Sequence, residues 1–143
     1  YAEFVQRNCQ LERWRWEGKE VGVHEAAAFA RKSLADSLRS KSPYNVNVMV
    51  GGVDGQTGGG QLYWMDYLGT LVKVPFGAHG YGAYFCTGLL DSRYKPDLTE
   101  QEALDLLKAC LAELKQRFIA TLPTFHVKIL RADGTVSDLT VSC

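Results

Sequence analysis

The chain has 143 residues, 46% hydrophobic and 22% charged, with 16 basic residues against 16 acidic ones. That length and apolar content suit one domain with a real core. Balanced charge leaves no basic footprint for nucleic acid, and no run of about 18 apolar residues exists to span a membrane.

The opening residues, Tyr1-Ala-Glu-Phe4, carry charge where a signal peptide needs an apolar core. They read as the middle of a helix, with neither an initiator Met nor a cap, so the expectation is a piece of a longer chain. Cys9, Cys86, Cys110 and Cys143 show no C-x-x-C spacing. They read as reduced structural thiols of a cytosolic or nuclear protein.

A helix is expected from Tyr1 to Trp16, where Phe4, Val5, Leu11 and Trp14 repeat with near-helical spacing and Gly18 supplies a stop. Its end, Arg13-Trp14-Arg15-Trp16, could form a nucleic-acid platform. A partly buried helix end with snorkelling arginines is the preferred reading, and a protein-contact surface lies between the two. A second helix is expected over Val23–Leu38, with a stripe of Ala27, Ala30, Leu34 and Leu38; Arg39-Ser-Lys-Ser-Pro43 breaks it. Asn45–Val50 alternates strictly, placing Val46, Val48 and Val50 on one dry strand face.

Gly51 to Gly60 resembles a phosphate-binding loop only superficially. No Lys-Ser/Thr follows it, and the next element is a strand, not a helix N-terminus; a long mobile hairpin loop is expected instead. Gln61–Tyr67 is apolar on both faces and predicts a central strand, with Asp66 as a turn acceptor rather than a catalytic acid. Leu71–Phe76 should return antiparallel and end near Pro75.

The corner Phe76-Gly-Ala-His-Gly-Tyr-Gly-Ala83 then leads into a helix over Tyr84–Leu90, closed by Asp91-Ser92. Gly80 and Gly82 are expected to let that helix lie tightly on its neighbours. His79 could serve as a base or a ligand, but His24 and His126 are remote, so a hydrogen-bonded structural role is preferred. Thr99-Glu-Gln-Glu102 is a capping box. It opens a helix whose apolar face is Ala103, Leu107, Cys110, Leu111, Leu114 and Phe118. Phe125–Leu130 and Val136–Val141 form a hairpin about Asp133-Gly134.

The order of two helices, three strands, two helices and two strands predicts an α+β layered domain of antiparallel sheets covered by helix pairs, extending over 1–143. No cofactor, no metal and no catalytic residue is predicted within it.

Five stretches together carry a family resemblance: Pro43-Tyr-Asn-Val-Asn-Val48, Leu62-Tyr-Trp-Met-Asp-Tyr67, Pro75-Phe-Gly-Ala-His-Gly-Tyr-Gly-Ala83, Leu90-Asp91 and Arg117-Phe-Ile-Ala-Thr-Leu-Pro-Thr-Phe125. They resemble a proteasome β-type subunit, nearest to members at the non-catalytic fourth β position of the 20S core. The resemblance covers essentially the whole chain. It implies the four-layer α/β/β/α sandwich of amino-terminal-nucleophile hydrolases, with this chain as the carboxyl-terminal two thirds of a subunit, lacking the amino-terminal strands.

Active members of that family are threonine proteases whose first residue is the nucleophile and whose own amine is the base. They carry Gly-Ser-Gly at the corner, where this chain has Gly80-Tyr81-Gly82. They carry Arg-Asp-Ala-Tyr-Ser-Gly after the long helix, where Phe118 stands for the aspartate and Thr121 for the serine. A phenyl ring cannot accept the hydrogen bonds of a carboxylate. The resemblance therefore implies a structural, non-catalytic subunit of the cytoplasm and nucleus that serves ATP/ubiquitin-dependent protein degradation. Its expected partners are the other α and β subunits: the third and fifth β neighbours, the α ring and the opposite β ring. The alternative is an active threonine endopeptidase whose nucleophile precedes Tyr1. A free-standing binding module built on the 51–60 loop is disfavoured, because an unfinished sandwich invites association.

Overall fold

The computed structural model describes residues 1–18, 20–55, 58–120 and 122–142. The chain forms two compact units, Tyr1–Val74 and Pro75–Cys143.

In the first unit, α1 (Ala2–Arg15) and α2 (Val23–Ser37) accompany a sheet of β1 (Val48–Val53), β2 (Gly60–Met65) and β3 (Leu71–Lys73). The strand order is β1-β2-β3, all antiparallel, with Val48 opposite Met65 and Met65 opposite Leu71. The expected central strand is therefore central. Ala30, Leu34 and Met65 form the core, and Tyr1, Val5, Val46, Val48 and Leu71 pack around it. Leu34 and Met65 are fully buried, each contributing roughly 1.5–3 kcal/mol of apolar burial. The Tyr1 hydroxyl donates to the Ala30 carbonyl at 2.6 Å, tying α1 to α2.

Several boundaries differ from the sequence expectation, each for a local reason. The alternation of Val46, Val48 and Val50 survives in the burial pattern, but strand pairing begins only at Val48 and continues through Gly51 and Gly52 to Val53. The glycine loop is thus shorter than expected. Asp54 N–H donates to the Gly59 carbonyl at 3.0 Å and Gly58 N–H to the Asp54 carbonyl at 2.7 Å; Gln56 and Thr57 lie outside the described residues. Gly52 pairs with Gln61 in the strand, and its lack of a side chain lets α2 approach: an added Cβ would lie 2.6 Å from Val23 Cγ2.

β3 is only three residues long. Val74 N–H still donates to the Leu62 carbonyl at 2.9 Å, and Pro75, which has no N–H, ends the ladder. The β2–β3 turn is held by Asp66, whose carboxylate accepts from Leu68 N–H at 3.0 Å and Thr70 N–H at 2.9 Å. That is the turn role expected of it.

The end of α1 departs from expectation twice. Gly18 N–H donates to the Arg13 carbonyl at 2.8 Å, and it is Glu17, at φ 53°, that first enters the left-handed region, a position usually held by glycine. Trp14 and Trp16 are 79% and 68% exposed, so this end is not partly buried. The α1 residues in the core packing, Tyr1 and Val5, lie at the opposite end of the helix.

In the second unit, α3 (Tyr81–Arg93) packs on α4 (Glu100–Arg117), and β4 (Thr124–Leu130) pairs with β5 (Val136–Ser142). α3 is longer than expected at both ends. Asp91-Ser92 does not stop it, because Ser92 turns its hydroxyl back to the Leu89 carbonyl at 3.0 Å and remains helical. The capping box on α4 forms as read: Glu102 N–H donates to Thr99 Oγ1 at 3.3 Å, and Thr99 N–H donates to the Glu102 carboxylate at 2.8 Å. These bonds from the Thr99 backbone and hydroxyl hold the Glu102 carboxyl below its ordinary range. The 131–135 hairpin is a three-residue loop with Gly134 at φ 81°; Arg131 and Thr135 close it at 3.0 Å. Arg131 also forks onto both Glu100 carboxylate oxygens, at 2.8 Å each, and so ties the hairpin to the start of α4.

Candidate functional site: an aromatic pair at the α3 corner

The corner is built by backbone geometry. Gly80 caps α3 at φ 62° and ψ −144°, and Ala83 N–H donates to its carbonyl at 3.2 Å. A side chain at Gly80 would meet nothing within 4 Å, and one at Gly82 only the Ala78 methyl at 3.9 Å. The expected close-packing role of these two glycines is therefore not what the corner uses. Gly80 is needed for its positive φ, and the close approach that requires glycine lies at Gly52.

α4 ends at Phe118, whose φ of −89° and ψ of 136° turn the chain out of the helix. This places the Phe118 ring against Tyr81, with centroids 4.8 Å apart and planes tilted by 39°. The two residues are 37 positions apart in sequence, and the packing of α3 on α4 brings them together. Tyr81 remains 64% exposed. Phe76 contacts the Tyr94 ring at 5.1 Å across the same helix. His79 is half-buried and is not without a partner. Thr121 lies outside the described residues.

Behind the corner, Cys86 Sγ donates to the Cys110 carbonyl at 3.6 Å. Both thiols are buried and free. Burial is the main force raising them; Cys110, further disfavoured as a thiolate by neighbouring Cys86, is pushed up to about 11. They are protonated packing groups, not nucleophiles. Cys9 is half-buried and also raised, by burial and then by Glu12. Cys143 lies outside the described residues. The His24 ring rests on Tyr63 at 5.5 Å. Among the described residues no three His, Cys, Asp or Glu side chains gather as a metal site.

Sequence reasoning did not anticipate a groove of about 360 Å³ between the end of α1 and α2, with Cys9, Glu12, Trp16, Glu25 and Phe29 in its lining. Two of its carboxylates, Glu12 and Glu25, are engaged locally. Glu12 accepts from Trp16 Nε1 at 3.0 Å and from Arg15 at 3.1 Å, and Glu25 accepts from Gly22 N–H at 3.0 Å. Glycine has no side chain to close the other half of a capping box, so the Gly22 cap of α2 is one-sided.

The chemistry of the corner is apolar and aromatic. Tyr81 offers one phenolic hydroxyl, which can donate or accept, and Phe118 offers neither donor nor acceptor, so the pair presents a single hydrogen-bonding group.

Comparison with known proteins gives the family. A family model described as "Proteasome subunit" matches residues 1–130. The chain is 45% identical to proteasome subunit beta type-4 of Saccharomyces cerevisiae, over 94% of this chain and 67% of that protein. It is 39% identical to proteasome subunit beta type-2 of Trypanosoma brucei brucei, over 94% and 69%. It is 40% identical to proteasome subunit beta type-2-A of Arabidopsis thaliana, over 94% and 64%. The chain spans about two thirds of the length of these relatives. On this sequence similarity, with its mixed helix and sheet architecture, the chain belongs to the proteasome subunit family, in its β-type branch.

Proposed function

We propose that the chain is a non-catalytic β subunit of the 20S proteasome core, which holds a place in the β ring and helps to wall the proteolytic chamber. The contact between Tyr81 and Phe118 carries this reading. The resemblance aligns these two positions with the serine and aspartate that support the amino-terminal threonine in active members. Two separate polar losses could each be incidental. Two aromatic replacements that pack on each other form one unit with a single hydroxyl and no carboxylate, where the active members carry a serine and an aspartate.

The assembly reading draws support from the first sheet. Its face opposite α2 carries Met49, Leu62, Trp64 and Val72, and Met49 and Val72 are 44% and 47% exposed. An apolar sheet face of that kind calls for a covering layer. Each unit supplies one helix pair and one sheet, in keeping with the four-layer α/β/β/α sandwich of the family. The neighbours under this reading are the third and fifth β subunits, the α ring and the opposite β ring, in cytoplasm and nucleus.

The test is to purify the chain from its source cell in its native assembly and to treat that assembly with an electrophilic probe for amino-terminal threonine nucleophiles. The expected result is a large multi-subunit particle in which other β subunits are labelled and this one is not. Labelling of this subunit would establish the rival reading, an active threonine endopeptidase. Recovery as a stable monomer would overturn the assembly.

A further inference from the structure

We propose that Ser42 is a phosphorylation site for a proline-directed protein kinase. The site lies in the link between α2 and β1, where Arg39-Ser40-Lys41-Ser42-Pro43-Tyr44 follows the end of the helix. This inference is independent of whether the subunit is catalytic.

Three serines lie near this link, and their surroundings separate them. Ser37 Oγ donates to the Leu34 carbonyl at 2.9 Å and accepts from Tyr44 N–H at 3.4 Å, so it serves as a joint between helix and strand. Ser40 Oγ accepts from Ser42 N–H at 3.3 Å. The Ser42 hydroxyl has no hydrogen-bond partner among the described residues and is exposed, as is every residue from Arg39 to Asn45. The segment has turns and bends as far as Ser42 and no regular structure from Pro43 to Asn47. A kinase must take its substrate as an irregular, accessible strand, because helix and sheet hide the backbone it reads. Ser42 meets that demand without local unfolding.

Pro43 defines the class of enzyme. It removes the N–H that follows the acceptor and biases Ser42 toward extended backbone. Only a kinase whose pocket does not require that donor accepts such a residue. In the reaction, Ser42 Oγ attacks the γ-phosphorus of Mg-ATP. The new O–P bond forms as the bond to the β–γ bridging oxygen breaks, ADP leaves, and the hydroxyl proton passes to the kinase's catalytic aspartate.

The product would sit in a basic stretch of chain. Arg39 and Lys41 precede Ser42 by three residues and by one, no acidic residue occurs between Arg39 and Val53, and neither cation is in an ion pair among the described residues. A phosphoryl group adds about −1.5 to −2 charge at neutral pH, with three acceptor oxygens. It would neutralise this basic segment and pair with the two cations through charge-assisted bonds.

The experiment treats the native protein, isolated from its source cell in its assembled form, with a proline-directed Ser/Thr kinase and Mg-ATP. Peptide mass spectrometry then locates the phosphate. Phosphate on Ser42, reduced at least tenfold in Pro43→Ala and unchanged in Ser40→Ala, supports the site. A synthetic peptide spanning 39–45 serves as the control. If the peptide is modified and the native protein is not, the serine is covered in the assembly and the proposal fails. Phosphate on Ser40, or on Ser42 regardless of Pro43, also overturns it.

Discussion

The Tyr81–Phe118 pair can be tested as an energetic unit by a double-mutant cycle of Tyr81→Ala, Phe118→Ala and the double variant. At a centroid separation of 4.8 Å, an aromatic pair contributes about 0.5–1.5 kcal/mol beyond its buried area. Tyr81 is 64% exposed, so the lower half of that range, about 0.5–1 kcal/mol, is the expected coupling. Phe118 is half-buried, and its single substitution should cost about 1.5–2.5 kcal/mol, below the ~3–5 kcal/mol of a fully buried ring. The assay is urea unfolding followed by circular dichroism, with the midpoints of the four proteins converted at a common slope. If the single costs sum to the double within about 0.3 kcal/mol, the rings do not act together, and the observation that carries the non-catalytic reading is lost.

Gly52→Ala should destabilise by about 1–3 kcal/mol through overpacking against Val23, whose Cγ2 would lie 2.6 Å from the new methyl. Adding Val23→Ala should recover much of that loss, and simple additivity in thermal melts would count against the clash. Glu17→Gly should stabilise by roughly 1 kcal/mol, since it relieves a left-handed residue at φ 53°; an unchanged or lower unfolding midpoint would show that the strain is absent. The Cys110 thiol, raised from 9.0 to about 11, gives a signed pH dependence. The folded chain holds its proton more tightly than the unfolded one, so this contribution is full below pH 9 and is lost as pH rises toward 11. Urea midpoints taken across that window should fall more steeply in the parent than in Cys110→Ala; parallel curves would refute the shift.

Elements whose identity depends on neighbours in sequence were legible from the residues. Thr99 and Glu102 define a helix start by local hydrogen bonds alone, and Asp133-Gly134 defines a turn by backbone preference. Asp66 closes its turn with N–H groups two and four residues away. The alternation of Val46, Val48 and Val50 identified the dry face correctly, although pairing begins at Val48, because alternation reports burial and hydrogen bonding requires a partner strand. The Ser92 stop failed for a similar reason: the hydroxyl can bond either outside the helix or back to its own turn, and composition does not distinguish the two.

The family, the order of elements and the two aromatic departures at Tyr81 and Phe118 were fixed by sequence alone, since each is a property of residue identity along the chain. The tertiary structure alone decided that those departures meet. It also moved the glycine that permits close approach from the corner to Gly52, and left Trp14 and Trp16 in solvent. These outcomes depend on which surfaces come within a few ångströms across long stretches of chain, and periodicity along one element carries no information about the element opposite.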